Sequence, residues 1–301
     1  MIELVEVSPR DGLQNERVIL STADKVSLVG RAVSAGARRI EVASFVNPRR
    51  VPQMADAEAV VAGLRKSSDV VHIGLVLNAR GAERALATAI DEVGVVCAAS
   101  DAFGRANQAQ SSDDTVEMAR DVVALARSQG RRAQVTIAVA FGCPFEGAVD
   151  PARIVAMARR LAEAGPLEIA LADTIGVARP EEVTRLVREV AAAIRPLPVR
   201  AHFHDTRGMG VANVLAAVSA GAITIDASIG GVGGCPFAPG AAGNVASEDV
   251  TYALGETIAI DGAALVDAAL WLNGKLERSI TSALMRTGWK RPGNPDFKET
   301  A

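Results

Sequence analysis

Residues 198–208 read PVRAHFHDTRG. An extended run from 199 to 206 sets a short apolar strand immediately before a cluster of polar groups. The chain has only three histidines, and two of them, His202 and His204, sit here two residues apart. In a strand, residues i and i+2 project from the same face, so both imidazoles point one way.

The same construction repeats outward in both directions. Strand candidates are IELVEVS (2–8), RRIEVASF (38–45), VVHIGLVL (70–77), EVGVVCAA (92–99), AQVTIAVAF (133–141), LEIALADT (167–174), VRAHFHDT (199–206) and AITIDASIG (222–230). Most are nearly continuous in Val and Ile, as strands buried on both faces are. Amphipathic helical segments lie between them, including 21–36, 150–165 and 179–194. The first opens on a Ser/Thr cap; the second has Asp150 at the N-cap and Pro151 in the first turn. Eight strands, each followed by a helix, predict a (β/α)8 TIM barrel, with an open doubly wound sheet as the alternative. One catalytic domain is expected over 1–301: a barrel to about 258, then a helical extension from about 259 to 290.

Composition narrows the function. There are 32 basic and 35 acidic residues, for a formal charge of −3, and aromatics are 3% of the chain. Neither a basic excess nor an aromatic stacking surface is present, which argues against nucleic acid and anionic membranes as partners. The N-terminus lacks the features of a signal or transit peptide, and no apolar run is long enough to span a bilayer. Cys97, Cys143 and Cys235 are odd in number and far apart, so reduced thiols and a cytoplasmic location are expected.

A barrel gathers its chemistry at the C-terminal ends of its strands. Arg10 and Asp11 follow the first strand, Asp173 ends the sixth, His202 and His204 end the seventh, and GGVGGCPFAPGAAGN (230–244) follows the eighth. The paired imidazoles are close enough to share a metal ion. Asp11 is a candidate third ligand, since only the eighth strand separates the first from the seventh, and Asn244 offers an amide oxygen. The bland alternative is a pair of hydrogen-bonded strand-end histidines. Arg10 can hold a carboxylate or a developing oxyanion, or simply tie Asp11 and Glu41 together. Glu41, in an apolar strand, needs a partner such as Arg10 or a histidine, with acid–base work as the other reading. Cys235 can move a proton from a glycine-flanked loop or be a small turn residue. His72, Cys97 and Cys143 read as structural. No Walker loop, dinucleotide fingerprint or G-x-S-x-G elbow is present.

The segments VSPRDGLQNE (7–16), IEVASFVNPRRVPQMAD (40–56), GCPFEG (142–147), ADTIGVARP (172–180), HFHDTRG (202–208) and GGVGGCPFAPGAAGNVASEDV (230–250) closely resemble the 3-hydroxy-3-methylglutaryl-CoA lyase family, in that family's order. The resemblance implies metal-dependent retro-Claisen cleavage of an acyl-CoA by a homodimer. It implies that Asp11, His202, His204 and Asn244 hold Mg2+ or Mn2+, that Arg10 stabilises the thioester enolate, and that Cys235 returns a proton. It places Glu41 and Asp173 on the catalytic rim, with His202 as the leading base. Gln14, Ser44, Thr174 and Asn107 fall on the substrate side, and Arg49, with Arg50, is a positional candidate for the coenzyme A phosphates. Cleavage of 3-hydroxy-3-methylglutaryl-CoA to acetyl-CoA and acetoacetate is the expected reaction; because Ala170, Arg207, Met209 and Arg50 depart from the family's usual residues, the same cleavage of a different 3-hydroxy-3-alkylglutaryl-CoA is the alternative. A Claisen-type synthase and a non-catalytic binding protein on the same barrel are the other classes considered.

Overall fold

The computed structural model describes residues 1–234, 243–278 and 282–289. Eight parallel strands close into a barrel in sequence order: β1 Glu3–Glu6, β2 Arg39–Ser44, β3 Val71–Val76, β4 Glu92–Ala98, β5 Arg132–Ala138, β6 Ile169–Asp173, β7 Val199–Phe203 and β8 Thr224–Ala227. Closure is direct: Glu3–Glu6 of β1 pair with Thr224–Ala227 of β8. The open-sheet alternative is excluded. All eight expected strands form, trimmed by a few residues at their ends.

The helices are α1 Thr22–Ser34, α2 Ala57–Gly63, α3 Ala79–Leu86, α4 Asp101–Gln108, α5 Ser112–Ser128, α6 Pro151–Ala162, α7 Pro180–Ala193, α8 Gly210–Ala220, α9 Ser247–Leu254, α10 Gly262–Leu276 and α11 Ala283–Thr287. Their ends follow local chemistry. Ser21 Oγ accepts the Asp24 N–H to start α1, and Asp150 caps α6 ahead of Pro151. Within the helical extension expected from about 259 to 290, the described residues form α10 and α11. Glu277, in the left-handed region at φ 50°, ends α10, and Ser282 caps α11. Among the described residues no helix is long and apolar enough to cross a membrane.

Alternation divides each strand between two environments. Outward residues such as Ile40, Val93, Ile137, Leu171 and Phe203 pack beneath the helices. Inward residues split by height and side. Val5, Val7 and Ile73 form a small apolar cluster of their own. Lower down, charges cross the barrel: Arg39 reaches Glu92 at 2.6 Å and Glu168 at 2.8 Å, and Arg200 lies 3.6 Å from Glu168. Such ions are tolerable in a dry interior only in compensated sets.

Two buried carboxyls brace the β8 end. Glu6 accepts from the backbone N–H of Ser8 and Ile229 and from Ser247 Oγ, linking the ends of β1 and β8 to α9. Glu248 accepts from the Gly230 N–H at 3.1 Å and has no exposed surface; burial pushes its carboxyl up to about 7. Because this value lies above that of the unfolded chain, the stability it supports is full in acid and is lost as pH rises from about 4.5 through about 7, on the order of 3 kcal/mol. Urea denaturation should therefore show Glu248→Gln more stable than the parent protein at about pH 8, with the difference closing towards about pH 5. Equal stability at both pH values would refute the assignment.

Candidate active site

A single turn sets the site. After β1 the chain makes a π-helical turn, Ser8–Gly12, in which the Gly12 N–H bonds the Val7 carbonyl five residues back. This turn carries Arg10 and Asp11 onto the rim. Gly12 is required by close approach, since a Cβ there would lie 2.6 Å from Val232 Cγ2 and 2.9 Å from Ser228 Oγ. From the opposite side β7 delivers His202 and then His204. Asn244 pairs backbone to backbone with His204 as an isolated bridge. Gly233, at φ +122°, passes so near that a Cβ would meet Asn244 Nδ2 at 2.6 Å.

One ligand atom from each of Asp11, His202 and His204 falls within 4.8 Å of the other two. His204 Nε2 lies 3.7 Å from Asp11 Oδ2, a spacing suited to two ligands of one ion rather than to a direct hydrogen bond. Asn244 Nδ2 donates to Asp11 Oδ2 at 2.7 Å. Two buried atoms, Asn244 Oδ1 and His204 Nδ1, have no hydrogen-bond partner among the described residues. Two imidazoles, a carboxylate and an orphaned amide oxygen form a donor set that fits a divalent cation such as Mn2+ or Mg2+. Burial alone would raise the Asp11 carboxyl, yet Arg10 and the two imidazoles hold it well below the usual carboxylate range. An ionised carboxylate is thus ready at the centre.

Arg10 joins the cluster to the barrel interior. Its Nη1 donates to Asp11 Oδ1 and its Nε to Glu41 Oε2, each at 2.5 Å. Beneath it, Asp226 Oδ2 of β8 accepts from Arg200 Nη2 at 2.9 Å, and the two groups form a buried ion pair. His202 Nδ1 lies 3.0 Å from Asp226 Oδ2.

These groups line a cavity that opens to solvent. Its β7–β8–β1 side is polar: Arg10, Asp11, Arg200, His202, His204 and Asp226. Leu75, Leu77, Val96 and Phe103 line the other side, towards β3 and β4, while Gln14, Asn107, Thr136 and Thr174 add neutral polar groups. Ser44 stands behind the wall and donates to Gln14 Oε1 at 3.1 Å. Asp173 does not line the cavity. Its carboxylate accepts the backbone N–H of Val177 and Ala178, which fixes the turn into α7. Glu41 reaches the site only through Arg10. Arg49, Arg50, Arg207 and Met209 are exposed and outside the cavity wall, and Ala170 is fully buried rather than lining it. Cys235 lies outside the described residues. His72 and Cys97 are buried under the helices, and Cys143 Sγ accepts from Ser100 Oγ.

Arg200 and Asp226 are functional-site residues that the strand reading passed over. The signal was a charged residue at an inward position in each of two otherwise apolar strands.

Fold and rim define the class: a (β/α)8-barrel enzyme with a carboxylate–two-histidine cluster at the C-terminal ends of its strands. Comparison with known proteins makes this particular. The chain belongs to the HMGL-like family, whose model matches residues 1–269. It is 43% identical to hydroxymethylglutaryl-CoA lyase of Pseudomonas mevalonii, over 91% of this chain and 92% of that protein. It is 41% identical to (R)-citramalyl-CoA lyase of Chloroflexus aurantiacus, over 95% of each. The crystal structure of hydroxymethylglutaryl-CoA lyase from Pseudomonas aeruginosa superposes with a TM-score of 0.90 at 42% identity, covering 95% of this chain and 96% of that one. These relatives are carbon–carbon lyases.

Titrating Mn2+ into chelator-treated protein, read by electron paramagnetic resonance, should show one bound ion. Asp11→Asn and His204→Ala should each weaken it by more than the roughly 10–100-fold that loss of an outer partner costs. Unchanged affinity in both variants would remove the metal centre from these residues.

Proposed function

We propose that the protein cleaves 3-hydroxy-3-methylglutaryl-CoA to acetyl-CoA and acetoacetate. The observation that carries the reading is the rim itself, an ionised Asp11 between two imidazoles and Arg10 at the mouth of a half-apolar cavity, in a chain 43% identical to a lyase named for that substrate. Asp11, His202, His204 and Asn244 would hold a divalent cation. When bound, the ion supplies Lewis acidity to the substrate's 3-hydroxyl oxygen.

The chain's own groups then have separate tasks. Loss of the hydroxyl proton and formation of the C3 carbonyl break the C2–C3 bond and leave two electrons on the thioester as its enolate. Arg10 keeps its charge through its bonds to Asp11 and Glu41 and presents a fixed cation to that enolate. Glu41 acts through Arg10, locking the guanidinium so that little reorganisation is needed. With Nδ1 of His202 on Asp226, only Nε2 remains, and one nitrogen cannot both ligate an ion and accept the hydroxyl proton. We assign it to ligation, in place of the base role that the family resemblance suggests, and let that proton leave through the open mouth to solvent. Cys235, in the loop after β8, is assigned the return of a proton to C2. The apolar side, Leu75, Leu77, Val96 and Phe103, excludes water from the enolate. Gln14, Asn107 and Thr174 offer orienting hydrogen bonds. Ser44 supports Gln14, and Arg49 with Arg50 is assigned to the coenzyme A phosphates outside the cavity. Asp173 supports the rim by holding its turn. A homodimer in the cytoplasm completes the proposal.

The test is turnover of purified protein with 3-hydroxy-3-methylglutaryl-CoA and Mg2+ or Mn2+, following acetyl-CoA and acetoacetate, with (R)-citramalyl-CoA as a second substrate. Metal-dependent release of acetoacetate is expected, with Arg10→Met lowering kcat by about 10²–10³-fold. Turnover confined to (R)-citramalyl-CoA would overturn the choice of acyl group. No cleavage of either would overturn the reaction.

A further inference from the structure

The two imidazoles of the cluster are held in different ways. His204 has one nitrogen facing Asp11 and the other, Nδ1, buried without a hydrogen-bond partner among the described residues. No second group among them holds that ring from behind. His202 is different, because its Nδ1 lies 3.0 Å from Asp226 Oδ2.

That contact follows from the ladder. His202 and Asp226 are register partners across β7 and β8, both inward, so their side chains are adjacent for as long as the barrel stays closed. Asp226 is itself fixed from below. Arg200, two residues before His202 on the same inward face, donates from Nη2 to Asp226 Oδ2 at 2.9 Å and forms an ion pair with it, and Arg200 is 3.6 Å from Glu168. All four groups are buried. A carboxylate ion-paired in this way can only accept, so it selects the His202 ring with hydrogen on Nδ1 and a lone pair on Nε2.

We propose that Asp226 is a positioning residue: held by Arg200, it presets the Nδ1–H tautomer and ring orientation of His202, so that Nε2 meets the cation already aligned. The inference rests on the metal-centre reading above. Free imidazole in a histidine side chain has no such constraint, and ordering it on binding weakens the ion's hold.

Two measurements test it. The first needs no variant. With three histidines in the chain, imidazole 15N resonances can be assigned by replacing His72 and His204 in turn. In metal-free protein, above neutral pH, His202 should carry its proton on Nδ1. An Nε2–H or doubly protonated ring overturns the proposal. The second is the Mn2+ titration on Asp226→Asn, checked for fold by circular dichroism. Affinity should fall by roughly 10–100-fold, and the His202 tautomer should no longer be confined to Nδ1–H. A purely structural Asp226 would lower the melting temperature and leave both readouts in place, which also overturns it. If the parent protein itself fails to bind Mn2+, the metal-centre reading falls and takes this one with it, an outcome distinct from equal binding by parent and variant.

Discussion

The Arg200–Asp226 ion pair is the interaction on which the upper barrel depends. Half of every strand's side chains point at the axis of a closed parallel barrel, and on β7 and β8 those positions hold Arg200, His202, Thr224 and Asp226. Each charge in that column is costly alone and acceptable together. Glu168 offsets Arg200, Arg200 offsets Asp226, and Asp226 holds His202. The column therefore carries ionic order from the floor of the barrel, where Arg39 spans Glu92 and Glu168, to the rim that holds the candidate site. Removing one member exposes the next as an uncompensated buried charge.

The cavity inherits its two-sided character from the same alternation. The upper inward positions of β3 and β4 hold Leu75 and Val96, with Leu77 just beyond β3, whereas those of β7 and β8 hold Arg200, His202 and Asp226. A substrate with a charged or hydroxylated end and a hydrocarbon end has one way to lie across such a mouth. Orientation is thereby settled by sidedness of the barrel before any single hydrogen bond is made.

Much of this was legible in the sequence, and what was not has a physical reason. The eight strands could be read because parallel strands covered on both faces are continuous in Val and Ile. His202, His204 and Asp11 could be placed on one rim because strand parity and barrel order are geometric rules. Asp173 was harder, because a carboxylate at a strand end can aim at the cavity or cap the next turn, and only the backbone path decides between Val177 N–H and the site. Arg200 and Asp226 were hidden by their distance in sequence. Neither explains itself alone, and their pairing exists only once β7 and β8 are side by side. The end of α10 turns on Glu277 adopting a left-handed backbone, which no helical periodicity announces.

The π-helical turn at Ser8–Gly12 has a consequence for how this site could change. Such a turn contains one residue more than the α-helical turn it replaces. Taking that residue out would restore ordinary winding and swing the following side chain about 100° around the turn. Arg10 and Asp11 both lie within the turn, so a deletion there would draw the Asp11 carboxylate away from His204 and Asn244. The two imidazoles would lose their carboxylate, on an unchanged barrel. The identity of the centre thus hangs on a count of residues as much as on their kinds.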